Sequence, residues 1–344
     1  MTQEMILNQR IVLASRPKGR PTPENFRLER EALPELKGGQ VQLRTLYLSL
    51  DPYMRGRMSD APSYADPVEI DAVMEGGAVS VVEQSLNSNF EPGDLVVGQT
   101  GWQTHSIHDG SGLVKLPKDL PSPSMAVGVL GMPGMTAYMG LMDIGKPKAG
   151  ETLVVAAASG AVGSVVGQVA KLHGLRVVGV AGGPEKCRYV VEELGFDACI
   201  DHRGDNFAAE LAEACPKGID IYYELVGGKV FEAVVPLLNA RARIPLCGVI
   251  AQYNAQGESQ GPDKLPLLMR TLLTKRARIQ GFIVFEEYGS RRQEFIDAMT
   301  PLVTSGQVKF REDVVQGLEA APEAFIGLLE GRNFGKLVVE VSTL

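Results

Sequence analysis

Thr152-Leu-Val-Val-Ala-Ala-Ala-Ser-Gly-Ala-Val-Gly-Ser-Val-Val-Gly-Gln168 decides how this chain is read. Its first half is a short apolar run rich in valine, which predicts a buried strand. The run breaks at Ser159-Gly160. Val165, Val166, Val169 and Leu172 then recur at spacings that suit one helix face. Gly174 stops that helix, and Arg176-Val-Val-Gly-Val180 predicts a second strand. The turn, Ala158-Ser-Gly-Ala-Val-Gly163, is a G-x-G-x-x-G pattern with alanine in the first place. In such a turn the second glycine lets backbone approach a pyrophosphate and the third lets helix pack on strand. The phosphates sit at the helix N-terminus, where N–H groups and the dipole favour anions. The alternative is a glycine-bearing turn that binds nothing. The strand–helix–strand context favours a dinucleotide.

At the end of the second strand, an NAD site usually places Asp or Glu on the ribose 2′-OH. Here that place is Ala181-Gly182-Gly183, followed by Pro184, Glu185, Lys186 and Arg188. A missing carboxylate with a lysine behind it suits a 2′-phosphate, hence NADPH. The alternative is that Lys186 and Arg188 are solvated surface charges, and Glu185 stands beside them.

Moving outward, 344 residues predict two domains. The mixture, 44% hydrophobic and 22% charged, can bury a large core. With a net charge of −7 and no basic stripe, nucleic acid and anionic membrane are poor partners. The four cysteines, Cys187, Cys199, Cys215 and Cys247, are widely spaced, which predicts reduced thiols in a cytosol. Met1 to Arg20 has no apolar core of signal-peptide type. Two charge-poor runs do not read as membrane spans: Leu120–Met142 is broken by prolines and Thr152–Ala170 by glycines.

Strand-like runs dominate residues 10–117: Arg10–Ser15, Val41–Leu50, Val73–Val82, Leu95–Gln99 and Leu113–Leu116. Turn signals separate them, so a small antiparallel barrel is expected. From about residue 124 strand and helix alternate. Strands are expected at Thr152–Ala157, Arg176–Val180, Ala198–Asp201, Ile219–Glu224, Arg243–Val249 and Ile279–Val284, the pattern of a doubly wound parallel sheet. Glu286–Gly306 predicts a helix. Lys336–Val341 predicts a strand that rejoins the first domain.

Six segments carry a family likeness: Leu48-Ser-Leu-Asp-Pro-Tyr-Met-Arg55, Gly131-Met-Pro-Gly-Met-Thr-Ala-Tyr138, Ala156–Gly163, Val226-Gly-Gly228, Cys247-Gly-Val-Ile-Ala-Gln-Tyr-Asn254 and Asn333-Phe-Gly-Lys336. With these the chain resembles the medium-chain dehydrogenase/reductase superfamily along nearly its whole length, and within it the zinc-free double-bond reductases, which include alkenal and prostaglandin reductases. The form Pro52-Tyr-Met-Arg-Gly-Arg-Met58 brings it close to bacterial members. The resemblance implies a GroES-like antiparallel β-barrel domain, residues 1–123 and 301–344, and an inserted Rossmann domain, residues 124–300. It implies that Gly160, Ala161, Val162 and Gly163 wrap the pyrophosphate and that Lys186 meets the 2′-phosphate. Cys247, Gly248, Val249, Ile250 and Tyr253 would run along the cofactor. Phe282, Ile283 and Val284 would flank the nicotinamide, with Asn333 hydrogen-bonding nearby. Two positions depart from relatives: His202 stands where a tyrosine is usual beside the adenosine phosphate, and Leu225 where an asparagine is usual.

Zinc relatives hold an alkoxide on a metal, which needs three or four Cys, His or carboxylate ligands. His105 and His108 have no cysteine near them in sequence, and Met74-Glu-Gly-Gly77 replaces the Gly-His-Glu ligand segment of zinc relatives. No metal is expected. Hydride attack on the β-carbon of an α,β-unsaturated ketone or aldehyde suits such a site, because charge then appears on the carbonyl oxygen, where a few preorganised donors stabilise it. Tyr253 is the candidate donor, the alternative being a packing tyrosine at a strand end. Tyr53 and Tyr64 are candidates for the substrate wall, with surface packing as the alternative; Trp102 and Met132 have less support. Arg55 and Arg57 could equally be structural ion-pair partners. The expected substrate is a small apolar conjugated carbonyl compound, diarylheptanoids included. Quinone reduction, and NADPH binding without turnover, are the competing readings. A homodimer is expected through Ala277-Arg-Ile-Gln-Gly-Phe-Ile-Val284, a long apolar strand at a sheet edge.

Overall fold

The structure, a computed structural model, is described over residues 6–255 and 263–344. It divides into two compact units, one of residues 1–128, 312–333 and 337–344, the other of residues 129–311 and 334–336.

In the first unit, β1 (Leu7–Leu13) and β2 (Phe26–Ala32) form an antiparallel ribbon. A larger antiparallel sheet contains β3 (Val41–Ser49), β4 (Gly77–Ser85), β5 (Leu95–Gln99), β6 (His105–His108) and β7 (Val114–Lys115). The first domain is thus mostly antiparallel strand, as expected, while β2 and β6 lie outside the expected runs. The reason is visible in β2: Phe-Arg-Leu-Glu-Arg-Glu-Ala alternates weakly and is exposed after Phe26, being held by backbone pairing to β1. The core gathers Ile11, Leu48, Met54, Met74 and Phe325 around Trp102, which is fully buried. Trp102 stacks on Phe26 at 5.7 Å and meets Phe325 edge-on at 5.6 Å. Trp102 therefore belongs to the hydrophobic core, a correction to its candidacy as a cleft residue.

The second unit is built on a six-stranded parallel sheet of β8 (Thr152–Val155), β9 (Arg176–Ala181), β10 (Ala198–Asp201), β11 (Ile219–Tyr223), β12 (Leu238–Leu246) and β13 (Arg278–Gly281). The spatial order is β10-β9-β8-β11-β12-β13, which is 3-2-1-4-5-6 in order of appearance, the doubly wound dinucleotide order. The fully buried residues Leu153, Val154, Val155, Val177 and Val178 explain why these strands read as continuous apolar runs. Helices in this unit are α1 (Met132–Met139), α2 (Gly163–Leu172), α3 (Pro184–Glu192), α4 (Phe207–Ala214), α5 (Gly228–Val234), α6 (Leu265–Lys275), α7 (Val284–Tyr288) and α8 (Arg292–Thr304). Residues 300 and 301 lie inside α8, and the unit continues to Arg311.

Three expectations are corrected in extent. The strand predicted over 243–249 spans Leu238–Leu246: its start is hidden by Asn239 and Arg241, and Cys247 already lies in the following loop. The strand predicted over 279–284 stops at Gly281, and Val284 opens α7. The helix predicted over 286–306 is two helices, α7 and α8, with Gly289 between them.

Back in the first unit, β14 (Glu312–Gln316), α9 (Ala321–Leu329) and β15 (Lys336–Glu340) close the fold. β15 pairs antiparallel with β3, Val338 opposite Ser49, so the terminal strand does return to the first sheet. Among the described residues no helix is long and apolar enough to cross a membrane.

Candidate active site

In a doubly wound sheet, ligands collect at the carboxyl ends of the strands near the point where the strand order reverses, here between β8 and β11. The residues singled out in the second unit all follow strand ends.

After β8 the chain turns through Ala156–Val162 into α2. A Cβ on Gly163 would lie 2.4 Å from the Ala157 carbonyl oxygen and 2.9 Å from that of Ala156. Only glycine permits this approach of helix to strand. A Cβ on Gly160 would lie 3.1 Å from the Ala157 oxygen. The left-handed conformation of the turn falls on Ala157, φ +48°, so the backbone demand is met one residue before the alanine that replaces the first glycine of the pattern. Ala158 is buried and donates its N–H to the Val180 carbonyl. No side chain caps the start of α2, so its N-terminus presents backbone, Ala161, Val162 and Gly163.

At the end of β9, Gly182 and Gly183 lead into α3, with Lys186 in its first turn. A Cβ on Gly182 would lie 3.0 Å from His202 Nε2 and 3.2 Å from Arg203 Nε. The neighbouring carboxylate, Asp201, is a turn-former. Its Oδ1 accepts the N–H groups of Gly183 and Arg203, both at 2.9 Å. His202 Nδ1 is buried with no hydrogen-bond partner among the described residues. Burial, then the charges of Lys229 and Arg203, hold its imidazole below the ordinary range. Arg203 escaped the sequence reading because it lies 43 positions past Gly160 in no motif; only the fold brings it to the β9 end.

β11 ends at Tyr223, and the next residue, Glu224, has a buried side chain. Its Oε1 accepts the N–H groups of Val226 at 2.7 Å and Gly227 at 2.8 Å, and the Tyr222 hydroxyl at 3.0 Å. Burial raises its proton affinity, and those hydrogen bonds oppose the rise without cancelling it. This carboxylate holds the Leu225–Gly228 turn. The Leu225 side chain packs against the hydrophobic cluster under the sheet, which accounts for an apolar residue there. Its carbonyl accepts the Ile250 N–H at 3.2 Å, tying the turn to the Cys247–Asn254 loop. Burial pushes the Cys247 thiol up to about 12. The Tyr253 hydroxyl folds back over the loop: a Cβ on Gly248 would lie 3.1 Å from it. Gly227 faces Val249. Phe282 is buried against Gly140 and meets Tyr288 edge-on at 6.0 Å, while Ile283 is half-buried and Val284 buried.

In the first unit the two tyrosines singled out flank one guanidinium. Arg57 lies 4.5 Å from the centroid of the Tyr64 ring and 5.6 Å from that of Tyr53. It is buried and pairs with Glu75 at 3.2 Å. Arg55, also buried, donates to the Gly19 carbonyl at 2.8 Å. Burial, then Asp51 and Glu75, raise the Tyr53 phenol well above its ordinary range, so it remains a neutral donor. Asn333 is half-buried between α9 and β15.

Residues 9–116 match the family described as the N-terminal domain of oxidoreductase, and residues 161–304 match zinc-binding dehydrogenase. The chain is 60% identical to the NADPH-dependent curcumin reductase of Escherichia coli (strain K12) over 99% of both chains. It is 42% identical to prostaglandin reductase 1 of Mus musculus over 94% of this chain and 96% of that one. The crystal structure of CurA from Vibrio vulnificus in complex with NADPH superposes with a TM-score of 0.95 at 60% identity, covering 98% of this chain and 100% of that one.

Among the described residues the side chains near the expected ligand positions do not make a donor set for zinc. The first unit contains no cysteine, and there His105 lies 3.8 Å from Glu83 and His108 beside Asp109. Met74, in the segment where zinc relatives carry a ligand, is fully buried in the core. Among the described residues no three His, Cys, Asp or Glu side chains come together to hold an ion.

Proposed function

The chain belongs to the medium-chain dehydrogenase/reductase family, in the group of alkenal and prostaglandin reductases, and from that premise we propose that it reduces the carbon–carbon double bond of α,β-unsaturated ketones and aldehydes with NADPH. What carries the reading is the likeness to a curcumin reductase through nearly the whole of both chains. Curcumin and related enones are the first substrates to try.

The chain's residues fit the cofactor on physical grounds. The glycine cradle at Gly160 and Gly163, the uncapped start of α2, the β9 end with no carboxylate of its own and the buried unsatisfied His202 nitrogen are features that suit a dinucleotide phosphate. Gly160 to Gly163 are assigned to the pyrophosphate, and Lys186 and His202 to the 2′-phosphate. Leu225, Cys247 to Ile250, Phe282 to Val284 and Asn333 are assigned to the rest of the cofactor. When bound, NADPH supplies a hydride to the β-carbon. Tyr253 is assigned to hold the substrate carbonyl through its hydroxyl, a donor to the oxygen on which charge grows. Proton delivery to the α-carbon then needs only water or a weak acid. Tyr53 and Tyr64, fixed by Arg57, are assigned to the apolar substrate wall. The unit of residues 1–128, 312–333 and 337–344 is assigned to substrate enclosure, and the unit of residues 129–311 and 334–336 to the dinucleotide.

The enzyme is read as metal-independent and cytoplasmic, the latter supported by four free thiols. A homodimer through the β13 edge is supported by position and surface. β13 ends the sheet, and the preceding helix α6 exposes Leu265, Met269 and Leu273 along one side, Leu273 at 78%. A screen of NADPH oxidation against enals, enones including curcumin, and quinones tests the reading. Turnover confined to quinones would replace it.

A further inference from the structure

The end of β9 carries more positive charge than Lys186 alone. His202 and Arg203 fold over Gly182 from the end of β10. A Cβ at Gly182 would lie 3.2 Å from Arg203 Nε and 3.3 Å from its Cζ, and one at Gly183 would lie 3.7 Å from Nη1. The two glycines therefore keep the space beneath the guanidinium clear. Lys186 stands three residues beyond Gly183, in the first turn of α3. Lys229, at the start of α5, acts on the same imidazole from a separate element.

Asp201 softens this charge only in part, since its Oδ1 serves backbone N–H groups. Glu185, beside Lys186, is exposed. Like charges around a half-buried imidazole with an unsatisfied nitrogen are unfavourable in isolation. Burial, Lys229 and Arg203 all press the His202 proton off, and Asp201 opposes them more weakly. A phosphate dianion at this place would offset the repulsion among these cations. A bare ribose hydroxyl would not.

Resting on the reading that NADPH binds here, we propose that Arg203 is a second selector of the 2′-phosphate, closing over Gly182 and Gly183 with His202 while Lys186 meets the same group from α3. Arg203 is exposed, so its contribution is screened by solvent and by salt. The fork of its guanidinium suits a phosphate better than an ammonium does.

Calorimetric titration of the full chain with 2′,5′-ADP and with 5′-AMP isolates this group, because the two ligands differ by the 2′-phosphate alone. Wild-type protein is expected to prefer 2′,5′-ADP. In Arg203→Ala that preference should fall about five- to tenfold, with 5′-AMP binding unchanged. Arg203→Lys should recover part of the loss, and raising the salt should narrow the gap between wild type and Arg203→Ala. An unchanged preference in Arg203→Ala, or an equal loss for both ligands, would overturn the assignment. Wild-type protein with no preference would overturn the cofactor reading and this inference with it. If the alanine variant is poorly folded, Arg203→Gln serves, since it keeps most of the side chain without its charge: a reduced preference for 2′,5′-ADP supports the assignment, and a preference equal to wild type overturns it.

Discussion

Gly163 and Ala157 approach so closely that a methyl group on Gly163 would stand 2.4 Å from the Ala157 carbonyl oxygen. That spacing sets where α2 begins relative to the end of β8, and so where its N–H groups point. Gly163→Ala must push the helix or the turn aside. A cost of about 1–3 kcal/mol in stability is expected, the usual range for overpacking, together with weaker NADPH binding. Denaturant midpoints and a fluorescence titration check both. A variant with wild-type stability and affinity would mean that the contact relaxes freely and does not place the helix.

Lys186 stands half-buried in the first turn of α3, behind Gly182 and Gly183. Lys186→Ala should weaken NADPH about tenfold, the low end for a charge-assisted hydrogen bond at a partly solvated site, and leave NADH nearly unchanged. Equal weakening of both cofactors would show that Lys186 supports the helix and not the phosphate.

The fold was legible where burial imposes a simple pattern. β8, β9 and β10 are buried or half-buried runs, and their limits in the structure differ from the expected ones by two residues at most. β2 was missed because its partner is a backbone and its side chains face water. β12 begins five residues earlier than expected because polar residues open it. Trp102 was a weak candidate for the cleft, yet three aromatic rings meet there in the core. The glycine turn was legible because each glycine has a local geometric reason. Arg203 was not, since its relation to Gly182 depends on β9 and β10 lying side by side, as Ala198 does opposite Val178.

The β13 edge leads to a prediction about assembly. Light scattering at micromolar concentration should give a dimer. Leu273→Glu should shift the protein toward monomer, since a charge on an apolar contact opposes association. A wild-type monomer at that concentration would remove the basis for the proposed interface.

Prolonged chelation should leave turnover intact, because no donor set for zinc comes together among the described residues. Activity lost to a chelator and regained only with zinc would require ligands outside those described.

Tyr253 is held with its hydroxyl over Gly248, in the loop that hydrogen-bonds the Leu225 turn. If that hydroxyl holds the carbonyl oxygen, it acts on charge that is larger in the transition state than in the ground state. Tyr253→Phe should then lower kcat by about tenfold or more, with NADPH affinity little changed. Because the ring is kept, a packing tyrosine would show near-normal turnover. Loss of NADPH affinity alone would make Tyr253 a cofactor-positioning residue.

The most direct test of the whole account is a product analysis of one conjugated enone, curcumin or a simpler aryl enone, incubated with the enzyme and NADPH. The expected result is one NADPH oxidised per double bond reduced, a saturated ketone as the product, and deuterium on the β-carbon when the nicotinamide carries it. An allylic alcohol would mean that hydride goes to the carbonyl carbon. Binding of NADPH with no product from any enone would mean that the site holds the cofactor without using it. Either result would contradict double-bond reduction.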